Sequence, residues 1–187
     1  MKVIPLHKNE EQLIKRALRQ HRDAQQLIYE MHAPKMLSIC RYYIKDQHTA
    51  EDIMLQGFFK VFKQLKSFKC QGSFEGWIRQ IMVREALNYL RKQKRLDFHS
   101  DIAGFQNQST NNIHTHIEVE AIQKILDELP EGYKTVFVLY AVEGYKHSEI
   151  AELLNISEGT SKSQLFKARQ LLQLKIKEHN TNSYGAK

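Results

Sequence analysis

Apolar residues recur at three- and four-residue intervals along most of the chain, the period of helices buried along one side. Residues 9–31 open the pattern, with Leu13, Ile14, Ala17, Leu18, Leu27, Ile28 and Met31 on the apolar side and Asp23 as a candidate start of a second helix. Pro34 sits where a following helix can begin, and Met36, Leu37, Ile39, Cys40, Tyr43 and Ile44 continue at helical spacing. After a polar break at 46–49, Thr49 is the predicted N-cap, with Glu51 and Asp52 in the first turn. The helix that follows places Ile53, Phe58, Val61, Phe62 and Leu65 inward. A short loop at 70–73 leads to a long helix, FEGWIRQIMVREALNYLRKQKR, with Phe74, Trp77, Ile81, Ala86, Leu87 and Leu90 inward.

The period stops at residues 97–116, where a Gln/Asn/Ser/Thr-rich stretch reads as a flexible linker. It returns with Val119, Ile122, Ile125, Leu126 and Leu129, is closed by Leu129-Pro130, and continues in a helix from Tyr133 to Val142 that ends near Gly144. The stretch HSEIAELLNISEGTSKSQLFKAR, residues 147–169, reads as helix, tight turn, helix. Ile150, Ala151, Leu153 and Leu154 form the buried side of its first helix. Asn155 suits the left-handed conformation that ends a helix, Ile156 plugs the corner, and Ser157 caps the second helix. That helix buries Leu165, Ala168 and Leu172 and leaves Thr160, Lys162, Ser163, Gln164 and Lys167 to face a partner. The chain is expected to fray after about Lys177. The pattern predicts an all-α protein of two helical domains, residues 9–95 and 118–178, joined by a flexible linker at 96–117, with a helix-turn-helix in the C-terminal domain. A tether of roughly 20 residues has a root-mean-square span of about 25 Å, enough to let two weak modules engage separated sites on one partner.

Composition sharpens this picture. The 187 residues carry a net charge of +7 and only three prolines and eight glycines, which favours a polyanionic partner and helical structure. The two cysteines, Cys40 and Cys70, lie far apart and form no disulfide framework, which fits a reducing compartment. The N-terminus lacks the apolar core of a signal peptide and no run approaches a membrane span, so a cytoplasmic protein is expected.

Candidate chemistry is that of binding rather than catalysis. The helix from Trp77 carries Arg79, Arg84, Arg91, Lys92, Lys94 and Arg95 against one acid, Glu85, a cluster suited to phosphates. Phe68, Gln71, Ser73 and Phe74 in the adjoining loop suit an unstacked base, although Phe74 and Trp77 read first as core. Lys60, Lys63, Lys66 and Lys69 recur every third residue and read as a solvated strip. An exposed Phe59 would mark a protein interface. Small polar and basic residues early in the second helix of a helix-turn-helix are those that read a major groove. His114 and His116 make a poor metal site with no cysteine nearby, and no phosphate-binding loop, nucleophile elbow or zinc-finger spacing occurs. No cofactor is expected.

Three stretches, AEDIMLQGFFKVF at 50–62, FEGWIRQIMVREALNYLRK at 74–92 and LPEGYKTVFVLYAVEGYKHSEIAELLNISEGTSKSQLFKAR at 129–169, together resemble the extracytoplasmic-function (ECF) group of the bacterial RNA polymerase sigma-70 family. The resemblance covers about residues 10–177. It implies that the first stretch docks on the β′ coiled coil of core RNA polymerase, with Asp52, Gln56, Phe59 and Lys63 as candidate contacts. It further implies a loop and helix that recognise and open the minus-ten promoter element, with candidates Lys66, Lys69, Gln71, Ser73, Trp77, Arg79, Arg84, Asn88 and Arg91. The helix-turn-helix would bind the minus-thirty-five element through Thr160, Lys162, Ser163, Gln164, Phe166 and Lys167. Implied partners are core polymerase (β′ coiled coil and β flap), promoter DNA and a membrane-bound anti-sigma factor, with no small-molecule substrate.

The sequence departs from the common family pattern at several positions. Leu55-Gln56 replaces the usual Gln-Glu or Gln-Asp, Arg84 and Asn88 stand where Asn and Asp are common, Ser161 replaces Val and Gln164 replaces Arg. Ser161 would weaken helix packing if buried, and Gln164 would read adenine through paired hydrogen bonds. The expected function is that of a sigma factor: binding core polymerase and directing promoter recognition, strand opening and initiation at a specific regulon, without being an enzyme. A DNA-binding regulator that never engages polymerase, and a nucleic-acid-processing enzyme, are the alternatives. The N-terminal half shows neither the receiver pattern the first would need nor the carboxylate or metal constellation the second would need.

Overall fold

The structure is a computed structural model that describes residues 6–69, 72–93 and 119–184, with backbone alone for 6–9, 119–120 and 181–184. Among the described residues there are helices and no strands, in two compact units, Met1–Lys92 and Gln93–Lys187. The linker expected at 96–117 and His114, His116, Cys70, Gln71, Lys94 and Arg95 lie outside the described residues.

The first unit holds α1 (Leu6–Leu18), α2 (Arg22–Tyr43), α3 (Gln47–Gln64) with a short 3-10 turn (Leu65–Ser67), and α4 (Phe74–Lys92). Two expectations about helix starts are corrected. Pro34 lies inside α2 rather than at the start of a new helix. Proline removes one backbone donor. Against this, Ala24, Ile28, His32, Met36, Ile39, Cys40 and Tyr43 form one buried stripe that runs straight past it, and burial of that stripe holds the helix continuous. The cap of α3 is Asp46, not Thr49: its carboxylate accepts from the Thr49 hydroxyl at 2.5 Å and the Thr49 backbone N–H at 2.8 Å. Those two bonds hold the Asp46 carboxyl below its ordinary value.

α2 turns a slightly different face inward from the one read off the sequence. Ile28 is buried, but Leu27 and Met31 are 45% and 55% exposed. The buried line instead includes His32, which packs edge-on against Phe74 of α4 at 5.7 Å between ring centroids. Phe62 and Trp77, expected inward, are half-buried. Burial pushes the Cys40 thiol up to about 12, so it packs as a small apolar group rather than as a reactive one.

α3 and α4 pack together where Gly57 faces Met82. A Cβ at position 57 would overlap the Met82 thioether, and Met82 is itself fully buried. The missing side chain on one helix thus makes room for the long side chain on the other.

The second unit holds α5 (Val119–Asp127), α6 (Glu131–Phe137) continued by a π turn (Val138–Val142), α7 (His147–Leu154) and α8 (Glu158–Tyr184). Gly144 ends the π turn at φ +76°, a left-handed conformation. Ile125, Leu126, Leu129, Tyr133, Val136, Leu139, Ile150, Leu154, Leu165, Ala168 and Leu172 form the core. Ile122, expected inward, is exposed, and α8 continues to Tyr184 beyond the point where fraying was expected. Among the described residues of this core, Lys134 is a buried charge that sequence periodicity concealed. It is 1% exposed, and its ammonium lies 3.3 Å from Glu131 and 3.8 Å from Asp127, joining α6 to α5.

Two stability outcomes follow. Gly57→Ala should cost about 1–3 kcal/mol by overpacking, and Met82→Ala about 2–5 kcal/mol by cavity formation. In urea denaturation the double variant should cost less than the sum of the two, because the new methyl enters the space Met82 leaves. Lys134→Ala should cost about 3 kcal/mol by stranding the two carboxylates, one of them nearly buried, seen as a drop in the melting temperature of the second unit.

Candidate nucleic-acid interface

Three surfaces carry the residues singled out from the sequence. The first is the outer face of α3. Asp52, Gln56, Phe59 and Lys63 are separated by four, three and four residues, so they form one stripe, and all four are exposed. Phe59 is 69% exposed, far more than a phenylalanine in a core-facing position would be. Beside it an open groove of about 490 Å³ is lined by Leu55, Gln56, Phe59, Lys60, Glu85 and Lys92. Lys60 donates to Glu85 at 2.7 Å and so ties α3 to α4 along this groove. Glu85, expected as an exposed acid within a basic face, is instead buried against that lysine. Lys60 therefore leaves the solvated strip, while Lys63, Lys66 and Lys69 remain exposed.

The second surface begins at the loop before α4. Phe68, Phe74 and Trp77 form a three-ring cluster with centroids 5.0–5.8 Å apart. This cluster anchors both ends of the loop, while Lys66, Lys69 and Ser73 stay at the surface. Ser73 has a structural task as well: its hydroxyl accepts from the Gly76 backbone N–H at 3.2 Å and caps α4. Gln71 lies outside the described residues. Along α4, Trp77, Arg84, Asn88 and Arg91 fall on one side at spacings of seven, four and three. Asn88 accepts from the Arg91 guanidinium at 2.9 Å, which orients that cation. Arg79 does not join them. At about 100° per residue it lies across the helix axis from Trp77, on the side where Glu75 is bridged to Lys35 of α2 at 2.6 Å.

The third surface is the helix-turn-helix. Asn155 adopts φ 55°, ψ 50°, the left-handed conformation that ends α7. The Ser157 hydroxyl accepts from the Thr160 backbone N–H at 2.9 Å and caps α8. Lys162, Ser163 and Phe166 are exposed, and Thr160 and Lys167 half-buried. Thr160 shares a hydrogen bond with Ser157, and Ser163 donates to the Thr160 carbonyl, both at 2.9 Å. Gln164 is the correction. It is 3% exposed, on the inner face of α8 with Ser161, Leu165 and Ala168, and in this conformation cannot present its amide to a base edge. Its spacing of three from Ser161 and four from Ala168 places it on the packed side of the helix.

Sequence reasoning missed a set of contacts at the foot of α8. The Tyr140 ring stacks on His147 at 4.7 Å and 23°, the Arg169 guanidinium lies 5.6 Å from the Tyr140 ring centre, and His147 Nδ1 is 2.9 Å from Ser161 Oγ. A polar residue at a position whose spacing demands an apolar one, as at Ser161, was the available signal.

Among the described residues, two four-helix units, the second built around a helix-turn-helix, have the make-up of a DNA-binding protein with a separate helical module. The sigma-70 region 2 family matches residues 28–96 and the sigma-70 region 4 family matches residues 119–172. Among similar proteins, RNA polymerase sigma factor SigV of Bacillus subtilis is 30% identical over 135 residues, 72% of this chain and 80% of the relative. The ECF RNA polymerase sigma factor SigM of the same species is 29% identical over 149 residues, 78% of this chain and 91% of the relative. The ECF sigma-E factor of Haemophilus influenzae is 26% identical, covering 88% and 93%. Two solved structures share the fold. The sigma factor RpoE from Bartonella quintana, in complex with the anti-sigma factor NepR, has a TM-score of 0.54 at 20% identity, covering 81% of this chain and 96% of that one. CnrH, in complex with the cytosolic domain of CnrY, has a TM-score of 0.50 at 18% identity, covering 89% and 96%. The chain belongs to the ECF group of the sigma-70 family. It is a promoter-recognising factor of transcription initiation.

One pH effect follows from the loop's aromatic cluster. Burial holds the His32 imidazole below its ordinary value, against the opposing pull of Glu10 and Glu75. The neutral ring is therefore the one the fold accepts. Its contribution is complete above the ordinary histidine value near 6.5 and is lost as pH falls through the lowered one. The melting temperature of the first unit should fall between pH 7 and 5, and His32→Phe should flatten that slope.

Proposed function

We propose that the α3 stripe docks the chain on the β′ coiled coil of core RNA polymerase, that the loop and α4 hold the melted minus-ten element, and that α8 reads the minus-thirty-five element as duplex. The observation that carries this reading is the exposure of Phe59 in the middle of a polar stripe on a helix whose opposite face, Ala50, Ile53, Met54, Phe58 and Val61, is buried. An isolated aromatic anchor flanked by Asp52, Gln56 and Lys63 has the make-up of an interface hot spot. For DNA, Trp77, Arg84, Asn88 and Arg91 form one side of α4 next to exposed Lys66, Lys69 and Ser73, with Gln71 assigned to the same loop from the sequence. Arg79 takes a positioning role on the far side of the helix. In the second unit Thr160, Lys162, Ser163, Phe166 and Lys167 meet the groove, and Gln164 supports them from within.

The domains of this reading are residues 9–95 for polymerase and minus-ten binding, 96–117 as the tether, and 118–178 for minus-thirty-five binding. The β flap of the polymerase is the partner of the second domain. The chain contributes binding energy and strand selection, and nucleotide addition stays with the polymerase, so it is not an enzyme and takes no cofactor. A regulon of promoters sharing both elements is its target. An anti-sigma factor, membrane-bound, restrains it; in the similar folds RpoE is in complex with the anti-sigma factor NepR and CnrH with the cytosolic domain of CnrY. No described helix is long and apolar enough to cross a membrane; the reading places the chain in the cytoplasm, with core polymerase.

Run-off transcription with purified core polymerase on pooled genomic fragments tests the reading. Template-specific transcripts should appear only when the chain is added. Phe59→Ala should weaken core binding roughly 30-fold, the size of a 2 kcal/mol hot spot, and leave duplex binding unchanged. Lys162→Ala should weaken duplex binding and reduce the salt slope by about one. Duplex binding with no specific transcript, from core active with another sigma factor, would instead identify a regulator that does not engage polymerase.

A further inference from the structure

The recognition helix of a helix-turn-helix can read bases only if its angle against the preceding helix is held. Apolar packing holds two helices together but tolerates small slides, because dispersion contacts are non-directional. A hydrogen bond from a half-buried group to a fully buried one is less tolerant, since a displacement beyond about 3.5 Å breaks it and leaves the buried hydroxyl without its partner.

Ser161 is fully buried near the N-terminal end of α8, one residue before Lys162. Its hydroxyl is 2.9 Å from Nδ1 of His147, the first residue of α7. The serine hydroxyl both donates and accepts, so it pairs with either tautomer of the ring. His147 is held in turn. Its ring stacks on Tyr140 at 4.7 Å, and the Arg169 guanidinium lies 5.6 Å from the other ring, contributing a cation–π contact from two turns further along α8. The backbone at the start of α7 is closed by Glu149, whose carboxylate accepts from the Lys146 N–H at 2.7 Å. Tyr140 lies in the π turn, a local widening that resets the direction of side chains after it. The result is a chain of contacts from α8 through the π turn and α7 and back to α8, entering that helix next to its groove-facing residues.

We propose that His147 and Ser161 are positioning residues for promoter reading: their hydrogen bond sets the angle at which α8 presents Lys162, Ser163 and Phe166 to the minus-thirty-five duplex. The inference rests on the reading of α8 as the groove-reading helix. Neither residue touches DNA in this scheme. The pair acts on specificity, because phosphate contacts by long, flexible lysines survive a small tilt and base-edge contacts do not.

The test uses holoenzyme assembled from core polymerase and the full chain. Promoters obtained by run-off transcription with the wild-type chain supply the specific duplex, and a random-sequence duplex of equal length is the competitor. His147→Phe keeps a ring on Tyr140 and removes the hydrogen bond. His147→Asn keeps a hydrogen-bonding atom close to the place of Nδ1. His147→Phe and Ser161→Ala should each lower the specific-to-random binding ratio about fivefold, the scale of one lost hydrogen bond. The double variant should fall no further, and His147→Asn should stay within about twofold of wild type. Binding to the random duplex and its salt slope should be unchanged in all four, which a general loss of folded protein would not allow. An unchanged ratio in His147→Phe and Ser161→Ala, additive losses in the double variant, or equal loss on both duplexes overturns the inference while leaving the sigma reading intact. Absence of any promoter-specific transcript with the wild-type chain overturns both.

Discussion

The packing of α3 against α4 is the constraint on which the first unit depends. The two helices approach closely because Gly57 offers no side chain where Met82 lies across it. That approach lets Lys60 of α3 reach Glu85 of α4. With the acid paired and buried, Glu85 is drawn to Lys60 and away from Arg84 and Arg91 of α4, and α3 presents Phe59 beside a groove that the ion pair walls. The Phe59 stripe and the basic face of α4 are two sides of one tightly closed pair. A change at either closing point would reach both surfaces at once.

The second unit solves a different problem. On the proposed reading, α8 must be held at an angle as well as held down. Leu165, Ala168 and Leu172 supply adhesion, and the Asn155 turn and the Ser157 cap set where α8 begins. The polar elements on the inner side of α8, Ser161 and Gln164, are expensive to bury. For Ser161 the partner is visible in His147. Lys134 follows the same logic beneath α6, with its charge matched by Glu131 and Asp127. Buried polar contacts of this kind add little net stability but allow fewer alternative arrangements than an apolar core.

Helix existence, the two-unit division and the stripe at Asp52, Gln56, Phe59 and Lys63 were legible in the sequence because they depend on spacing within one helix. So was the turn at Asn155 and Ser157, whose residue types match a local backbone requirement. Pro34 was misread because propensity speaks for a break and only the buried stripe through His32 and Met36, packed on neighbouring helices, overrules it. The cap at Asp46 was misplaced by three residues, since both Asp46 and Thr49 are good caps and the winning geometry has one bonding the other. Leu27 and Met31 satisfy the helical period as well as their buried neighbours do, and periodicity alone does not choose between adjacent faces.

What the sequence determined by itself is the list of helices, their apolar sides, the caps and turns between them, and the family whose motifs they carry, all of which follow from local stereochemistry and periodic burial. What only the tertiary structure decided is the partner of each polar residue. Glu85 became the mate of Lys60, Ser161 of His147, Lys134 of two carboxylates, and Gln164 turned from the groove to the interior. Pairings of this kind join residues far apart in sequence or on different helices, and they depend on distances and angles that exist only once the helices have packed.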